Sequence, residues 1–116
     1  RYKGLVLEGT GLGHAPVNTM ENKKAWNALV KLIKSGCMVV MTSQCLYGRT
    51  HSHVYTNLAR LHDAGVIFAE DMLPETADVK LAWLLGNYNA QQAKELIAIN
   101  LRGEISARTN AEETFI

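Results

Sequence analysis

Cys37-Met38-Val39-Val40-Met41-Thr42 is an unbroken apolar run closed by a threonine. A strand with one face in water alternates apolar and polar residues. A strand that does not alternate is covered on both faces, as in a parallel sheet with helices above and below. The run is far too short to cross a bilayer. It therefore reads as the central strand of an α/β domain, and the flanking sequence is judged by whether it supplies the covering layers.

It does so on both sides. Residues Lys3 to Glu8 read as a first strand, ended by Gly9-Thr10-Gly11-Leu12-Gly13. A helix is expected from about Asn18 or Thr19, with Asn18 and Glu21 as a capping box and Trp26, Leu29, Val30 and Ile33 on one stripe. Gly36 supplies its left-handed stop. Beyond the central strand, a loop of about ten residues leads to Ser52 as a cap. Val54, Leu58 and Leu61 then form a stripe that ends at Gly65, and Val66 to Ala69 reads as a third strand. Pro74 opens the next helix, striped by Ala77, Leu81, Leu84 and Leu85. Asn89, boxed by Gln92, caps a last helix buried through Ala93, Leu96, Ile97 and Leu101. Strands alternating with helices predict a three-layer αβα domain on a small parallel sheet over residues 1–103. Residues 104–116 read as a loosely held tail in which Phe115-Ile116 docks.

The chain has 116 residues, 47% of them hydrophobic and 20% charged, ordinary values for a globular domain. It starts at Arg1 and enters a strand almost at once, as an excised domain would. The formal charge of +1 gives no field that gathers nucleic acid nonspecifically. Lys23, Lys24, Lys31 and Lys34 read as a solvated helix face. Cys37 and Cys45 have no spacing that demands a disulfide, which fits a reducing, cytoplasmic setting.

Open parallel sheets bind ligands outside the carboxyl ends of their strands. The loops 9–16, 43–52 and 70–74 meet there, carrying Thr10, His14, Ser43, Gln44, Arg49, His51 and Asp71. The glycine loop is GxGxG rather than GxGxxG, and several residues separate Gly13 from the expected helix cap. A phosphate would not reach that helix's N-terminus. A tight turn that admits close backbone approach is the better reading. His51 and His53 diverge and lack an acidic partner, so no metal is expected. Cys45 with His51 or His53 has no orienting carboxylate. Asp71 is expected to satisfy loop amides ahead of a helix, and Glu75 to complement its dipole. His62 lies in the last turn of its helix, where a cation is favoured. The residues give a working edge without a complete catalytic set.

Several segments resemble a known family in order. Leu5 to His14 resembles the loop that opens the C-terminal domain of asparaginases. Thr42-Ser43-Gln44-Cys45, Gly48 and Tyr55, then Ala64-Gly65-Val66-Ile67, Asp71-Met72, Glu75 and Lys80-Leu81, resemble the cytosolic (type I) branch. Cys45-Leu46-Tyr47-Gly48-Arg49, Val54 to Leu58, Glu70 to Thr76, and Gly103-Glu104-Ile105-Ser106 with Arg108 resemble the amidohydrolase subunit of archaeal tRNA-dependent amidotransferases.

The resemblance implies an asparaginase C-terminal domain, broadly flavodoxin-like or Rossmann-like. It implies that the catalytic threonines, with an aspartate and a lysine, lie in a larger N-terminal domain. None of the catalytic residues is then among these 116 residues. It also implies a homodimer in which this domain reaches the partner's site. There His14 falls where secreted asparaginases place an asparagine. Tyr55 falls where they place a glutamate that binds the substrate's α-amino group, and cytosolic relatives have tyrosine there. Thr10 and Gln44 join them as substrate-binding candidates in trans, while Arg49 has a weaker claim. The implied subunit releases ammonia from glutamine or asparagine. Its partner, the E subunit of the amidotransferase, uses ATP and magnesium to convert Glu-tRNA(Gln) to Gln-tRNA(Gln). Two rivals stand: a stand-alone cytosolic L-asparaginase, and a flavodoxin-like nucleotide-binding module. Read from the residues alone, Tyr55 is either a substrate contact or a half-buried aromatic covering the core. His14 is either a contact or a satisfied loop histidine.

Overall fold

β2 (Met38–Ser43) is the middle strand of a parallel sheet, flanked by β1 (Gly4–Gly9) and β3 (Ile67–Phe68). The chain is described by a computed structural model over residues 2–110 and 112. All six residues of β2 are buried. Successive side chains of a strand point to opposite faces, and β2 shows where each face goes. Met38 and Val40 join Ala77, Leu81 and Leu84 of α3 (Pro74–Asn87) and Ala93 of α4 (Ala90–Leu96). Val39 and Met41 join Leu29 of α1 (Lys23–Lys34) and Leu58 and Leu61 of α2 (Thr56–Asp63). The unbroken apolar run is thus the seam between two cores, and the domain is the three-layer α/β structure that the run predicts.

Signals that act within a few residues are found in place. Pro74 occupies the first turn of α3, with Glu75 beside it near the positive end of the helix. Asn89 accepts from the Gln92 amide at 2.9 Å while Gln92 Oε1 accepts from the Asn89 amide at 3.2 Å. Gly36 and Gly65 follow α1 and α2 with φ of 89° and 106°. Cys37 is buried and Cys45 exposed, both free thiols. Among the described residues, no helix is long and apolar enough to cross a membrane.

Four expectations are corrected. α1 starts at Lys23, and the Asn18–Glu21 box is not formed. Asn22 Nδ2 instead donates to Thr19 Oγ1 at 2.9 Å, and the Asn22 and Lys23 amides close single turns onto Thr19 and Met20. The Glu21 carboxyl is held below its ordinary range by its own backbone amide and then by Thr19. Met20 is 80% exposed, so no apolar contact anchors an earlier turn to the core. α2 likewise starts at Thr56, capped by the Tyr55 backbone rather than by Ser52. The Ser52 hydroxyl is engaged with His53 Nδ1 at 2.6 Å, and Val54, expected on the buried stripe, is 52% exposed.

The third correction concerns Leu101, which lies beyond α4 and is 37% exposed. The fourth concerns residues 104–107, which are held rather than loose. Ile105 is buried in the α3–α4 core. Glu104 accepts from the Leu101 and Arg102 amides and from Lys80 Nζ at 2.6 Å; Lys80 also donates to the Ile99 carbonyl at 2.5 Å. Burial pushes the Glu104 carboxyl up. The hydrogen bonds from Lys80, from the Leu101 amide and from its own and the Arg102 amides outweigh that and bring it down to about 2. Phe115-Ile116, expected to dock, lie outside the described residues.

Candidate functional site

β1 delivers its chain to the sheet edge at Gly9, and the next residues turn back at once. The amides of Gly13 and His14 donate to the Thr10 carbonyl at 3.0 and 2.9 Å, and the Thr10 amide donates to the His14 carbonyl at 3.0 Å. Gly11 and Gly13 adopt φ of 52° and 103°, where a side chain would be strained. A Cβ on Gly9 would stand 2.7 Å from the Gly13 Cα and from Met41 Sδ. The glycines therefore permit a backbone-on-backbone approach. No phosphate cradle results, because α1 begins only at Lys23.

α2 pins this turn from the side. Asn57 Nδ2 donates to the Ala15 carbonyl at 3.2 Å, and Arg60 Nη1 to the Val17 carbonyl at 3.2 Å. The Arg60 guanidinium also lies 3.7 Å over the Trp26 ring, which ties α2 to α1. The Ser43 hydroxyl donates to the Gly11 carbonyl at 2.5 Å and accepts from the Cys45 amide at 3.1 Å.

The structure brings two of the four substrate-binding candidates together. The rings of His14 and Tyr55 are 5.4 Å apart, tilted by 51°. Tyr55 is 57% exposed and belongs to neither core cluster, so it does not serve as an aromatic cover for the core. It stands immediately before α2, in extended backbone. His14 is half-buried beside it. Thr10 is exposed at the start of the same turn. Gln44 is exposed at the end of β2, but its side-chain amide is bound to the Glu8 carbonyl at 3.2 Å and staples β1 to β2.

The remaining sequence candidates go elsewhere. Asp71 does not satisfy amides ahead of α3. Its Oδ1 accepts from the Ser106 amide at 2.9 Å and faces Arg49 Nη2 at 3.5 Å. His53 meets Ser52 and the ring of His62, 5.1 Å away, rather than Cys45. Among the described residues, no three metal-ligating side chains come together. What the sequence reading missed are the ties, Thr50, Asn57, Arg60 and Ser106. For Asn57 and Arg60 the available signal was a polar residue inside an amphipathic helix; Thr50 and Ser106 lie in loops and offered none.

The edge can donate and accept hydrogen bonds through an imidazole, a phenol and a hydroxyl. It presents no nucleophile with a base. It is also unusually apolar for free surface: Leu46, Tyr47, Val54 and Tyr55, all in one loop, are each more than half exposed. A groove of about 850 Å³ lies apart from it, on the outer side of α3 among Val79, Trp83, Tyr88 and Leu101, and shares no residue with the edge loops.

The sequence matches the Glutaminase/Asparaginase C-terminal domain family over residues 1–97. It is 49% identical over 109 residues to the D subunit of glutamyl-tRNA(Gln) amidotransferase from Pyrococcus furiosus, covering 93% of this chain and 24% of that protein. The D subunit from Archaeoglobus fulgidus is 45% identical over 108 residues, again covering 93% and 24%. The fold is similar to that of a thermostable L-asparaginase from Thermococcus kodakarensis (TM-score 0.78, 33% identity), covering 91% of this chain and 31% of that one. L-asparaginase I from Vibrio cholerae is similar too (TM-score 0.77, 34% identity), covering 90% and 30%. The chain thus spans about a quarter of the length of the curated relatives.

Proposed function

The chain belongs to the glutaminase/asparaginase family as a C-terminal domain of it, and from that premise we propose that it is one side of an amidase site. In this reading the full-length protein is the amidohydrolase subunit of a tRNA-dependent amidotransferase. It releases ammonia from glutamine or asparagine, and the acyl-transfer chemistry resides in the part of the polypeptide outside these 116 residues. This domain supplies dimer surface and reaches into the partner's site. The E subunit of the amidotransferase, with ATP and magnesium, then uses the ammonia on Glu-tRNA(Gln).

The observation that carries the reading is the His14–Tyr55 pair on the sheet's carboxyl edge, Tyr55 exposed and His14 half-buried against it. Tyr55 Oη and the His14 imidazole hold the amino-acid end of the substrate by hydrogen bonds; neither brings the fixed negative charge that a glutamate offers an ammonium. Thr10 lies within the same turn and adds a hydroxyl. The apolar residues of loop 44–55 favour a protein surface opposite the edge, as a site completed in trans requires.

The test uses the full-length protein. Tyr55→Ala or His14→Ala lowers kcat/KM for glutamine by about tenfold or more, the worth of a hydrogen bond to a charged group. Tyr55 is exposed and His14 half-buried, so stability changes by about 1 kcal/mol at most. Wild-type turnover in both variants refutes the assignment. The isolated 116-residue chain shows no glutaminase or asparaginase turnover. The nucleotide-binding alternative predicts tight binding of a nucleoside phosphate in titration, and the early turn at Gly13 argues against it.

A further inference from the structure

Three consecutive residues of the edge loop reach three separate parts of the chain. The His51 amide donates to the Leu12 carbonyl at 3.0 Å, two residues before His14. Thr50, 3% exposed, donates from its amide and its hydroxyl to the Glu70 carbonyl at 2.8 and 3.1 Å. Glu70 is the residue so gripped, and it has φ of 58°, a backbone state that costs a non-glycine residue energy and persists only when its surroundings enforce it. Arg49 completes the set. Its Nη1 donates to the Ala107 carbonyl at 3.2 Å and its Nη2 to the Ser106 carbonyl. The same two nitrogens lie 3.5 Å from Glu70 Oε2 and Asp71 Oδ1, while Nε is buried without a partner among the described residues.

We infer that Arg49 is a positioning residue for the amidase site: it locks the segment 104–107 onto loop 44–55 and thereby fixes where Tyr55 and His14 stand. The inference rests on the reading of the edge just proposed. Two features separate it from a surface ion pair, which is worth little on its own. The guanidinium is three-quarters buried on its side chain. Its forked donors also meet two successive backbone carbonyls, a task a single ammonium cannot duplicate. The segment it grips is fixed at its other end by Ile105 in the core and by the Lys80–Glu104 pair. Loop 44–55 is therefore moored to a rigid body on one side. On the other side it is bonded to the turn that carries His14. A chain of contacts leads from residues 104–107 through Arg49 and His51 to Leu12. Arg49 makes its first step directly, and a second route runs from the Ser106 amide through Asp71 and the Glu70 carbonyl to Thr50.

The experiment measures glutamine hydrolysis by the full-length protein carrying Arg49→Ala or Arg49→Lys, beside Tyr55→Ala. Released from its mooring, the loop samples positions that bind substrate less well. KM therefore rises by about tenfold in Arg49→Ala while kcat stays within about threefold. Arg49→Lys, which keeps the charge and folds with least disturbance, recovers only part of KM because it has no fork. Hydrogen exchange of residues 44–55 and 104–107 speeds up in both Arg49 variants. A purely structural role would instead lower activity in step with the folded fraction and leave KM alone, and that result overturns the inference. Normal KM in both Arg49 variants with an impaired Tyr55→Ala also overturns it, and leaves the edge reading intact. Normal kinetics in all three variants rejects the edge reading itself.

Discussion

The turn 9–14 and the segment 104–107 arrive at the same end of the sheet and are fixed there by different physics. The turn is held without charge: three short backbone hydrogen bonds, two glycines at positive φ, contacts too close to admit a Cβ, and the neutral Ser43 hydroxyl on the Gly11 carbonyl. The segment is held by side-chain charge, with Lys80 against Glu104 and Arg49 against two carbonyls and two carboxylates. A backbone device depends on sterics and is indifferent to pH. A charged device tolerates a change of shape better than a change of protonation. The two parts of one edge should therefore fail under different insults.

The largest effect is expected at the turn. Gly13→Val places a β-branched residue at φ of 103° with its Cβ 2.9 Å from Met41 Cγ and 3.0 Å from Phe68 Cε1. Left-handed strain and overpacking of a closed core together cost about 4 kcal/mol. Chemical denaturation of the chain reads it directly. Gly11→Val is the control: a Cβ there meets nothing, and the loss falls to about 1–2 kcal/mol. Equal losses at the two glycines would show that close approach is not what the turn requires. Next comes Lys80→Met, which strands the Glu104 carboxylate beside the core and costs about 3 kcal/mol. Lys80→Met with Glu104→Gln removes the stranded charge and recovers part of it. If the single variant were neutral, the segment would be held by Ile105 and by its ties to Arg49 and Asp71, without need of the Lys80 pair.

The same division explains what was legible in the sequence. The fold was readable because its signals are local: a strand without alternation at 38–43, Pro74, the Asn89–Gln92 box, Gly36 and Gly65. Local patterns failed where they lacked packing behind them. Asn18 and Glu21 have the spacing of a cap, but no buried side chain lies between them and Trp26 to hold a turn. Ser52 has the chemistry of a cap and is drawn to His53 instead. At the edge, the turn was readable as a close backbone approach, and the pairing of His14 with Tyr55 became visible only in three dimensions. The anchoring of 104–107 was illegible because Lys80 and Glu104 are 24 residues apart, and Arg49 and Ser106 are 57 apart. One clue was present. Lys80 falls on the buried stripe of Ala77, Leu81 and Leu84, and a lysine there requires a partner.

Acid offers the gentlest way to separate the two devices. Glu104 is brought down to about 2 in the fold against an ordinary 4.5, so the folded state keeps this carboxylate ionised where the unfolded chain takes up a proton. A depressed carboxylate contributes stability that is complete above the unfolded value and is lost as pH falls from about 4.5 through about 2. Its side chain is 11% exposed, and after allowance for solvent screening the contribution is about 2 kcal/mol. Unfolding of wild type at pH 6 and at pH 3 should show part of that loss. Hydrogen exchange at pH 3, corrected for the intrinsic rate, should place the loosening at residues 99–107 while the amides of Gly13 and His14 stay protected. Glu104→Gln removes the titrating group and flattens this part of the profile. If the turn loosened as early as the segment, the two would be one cooperative unit, and the edge would answer to charge throughout.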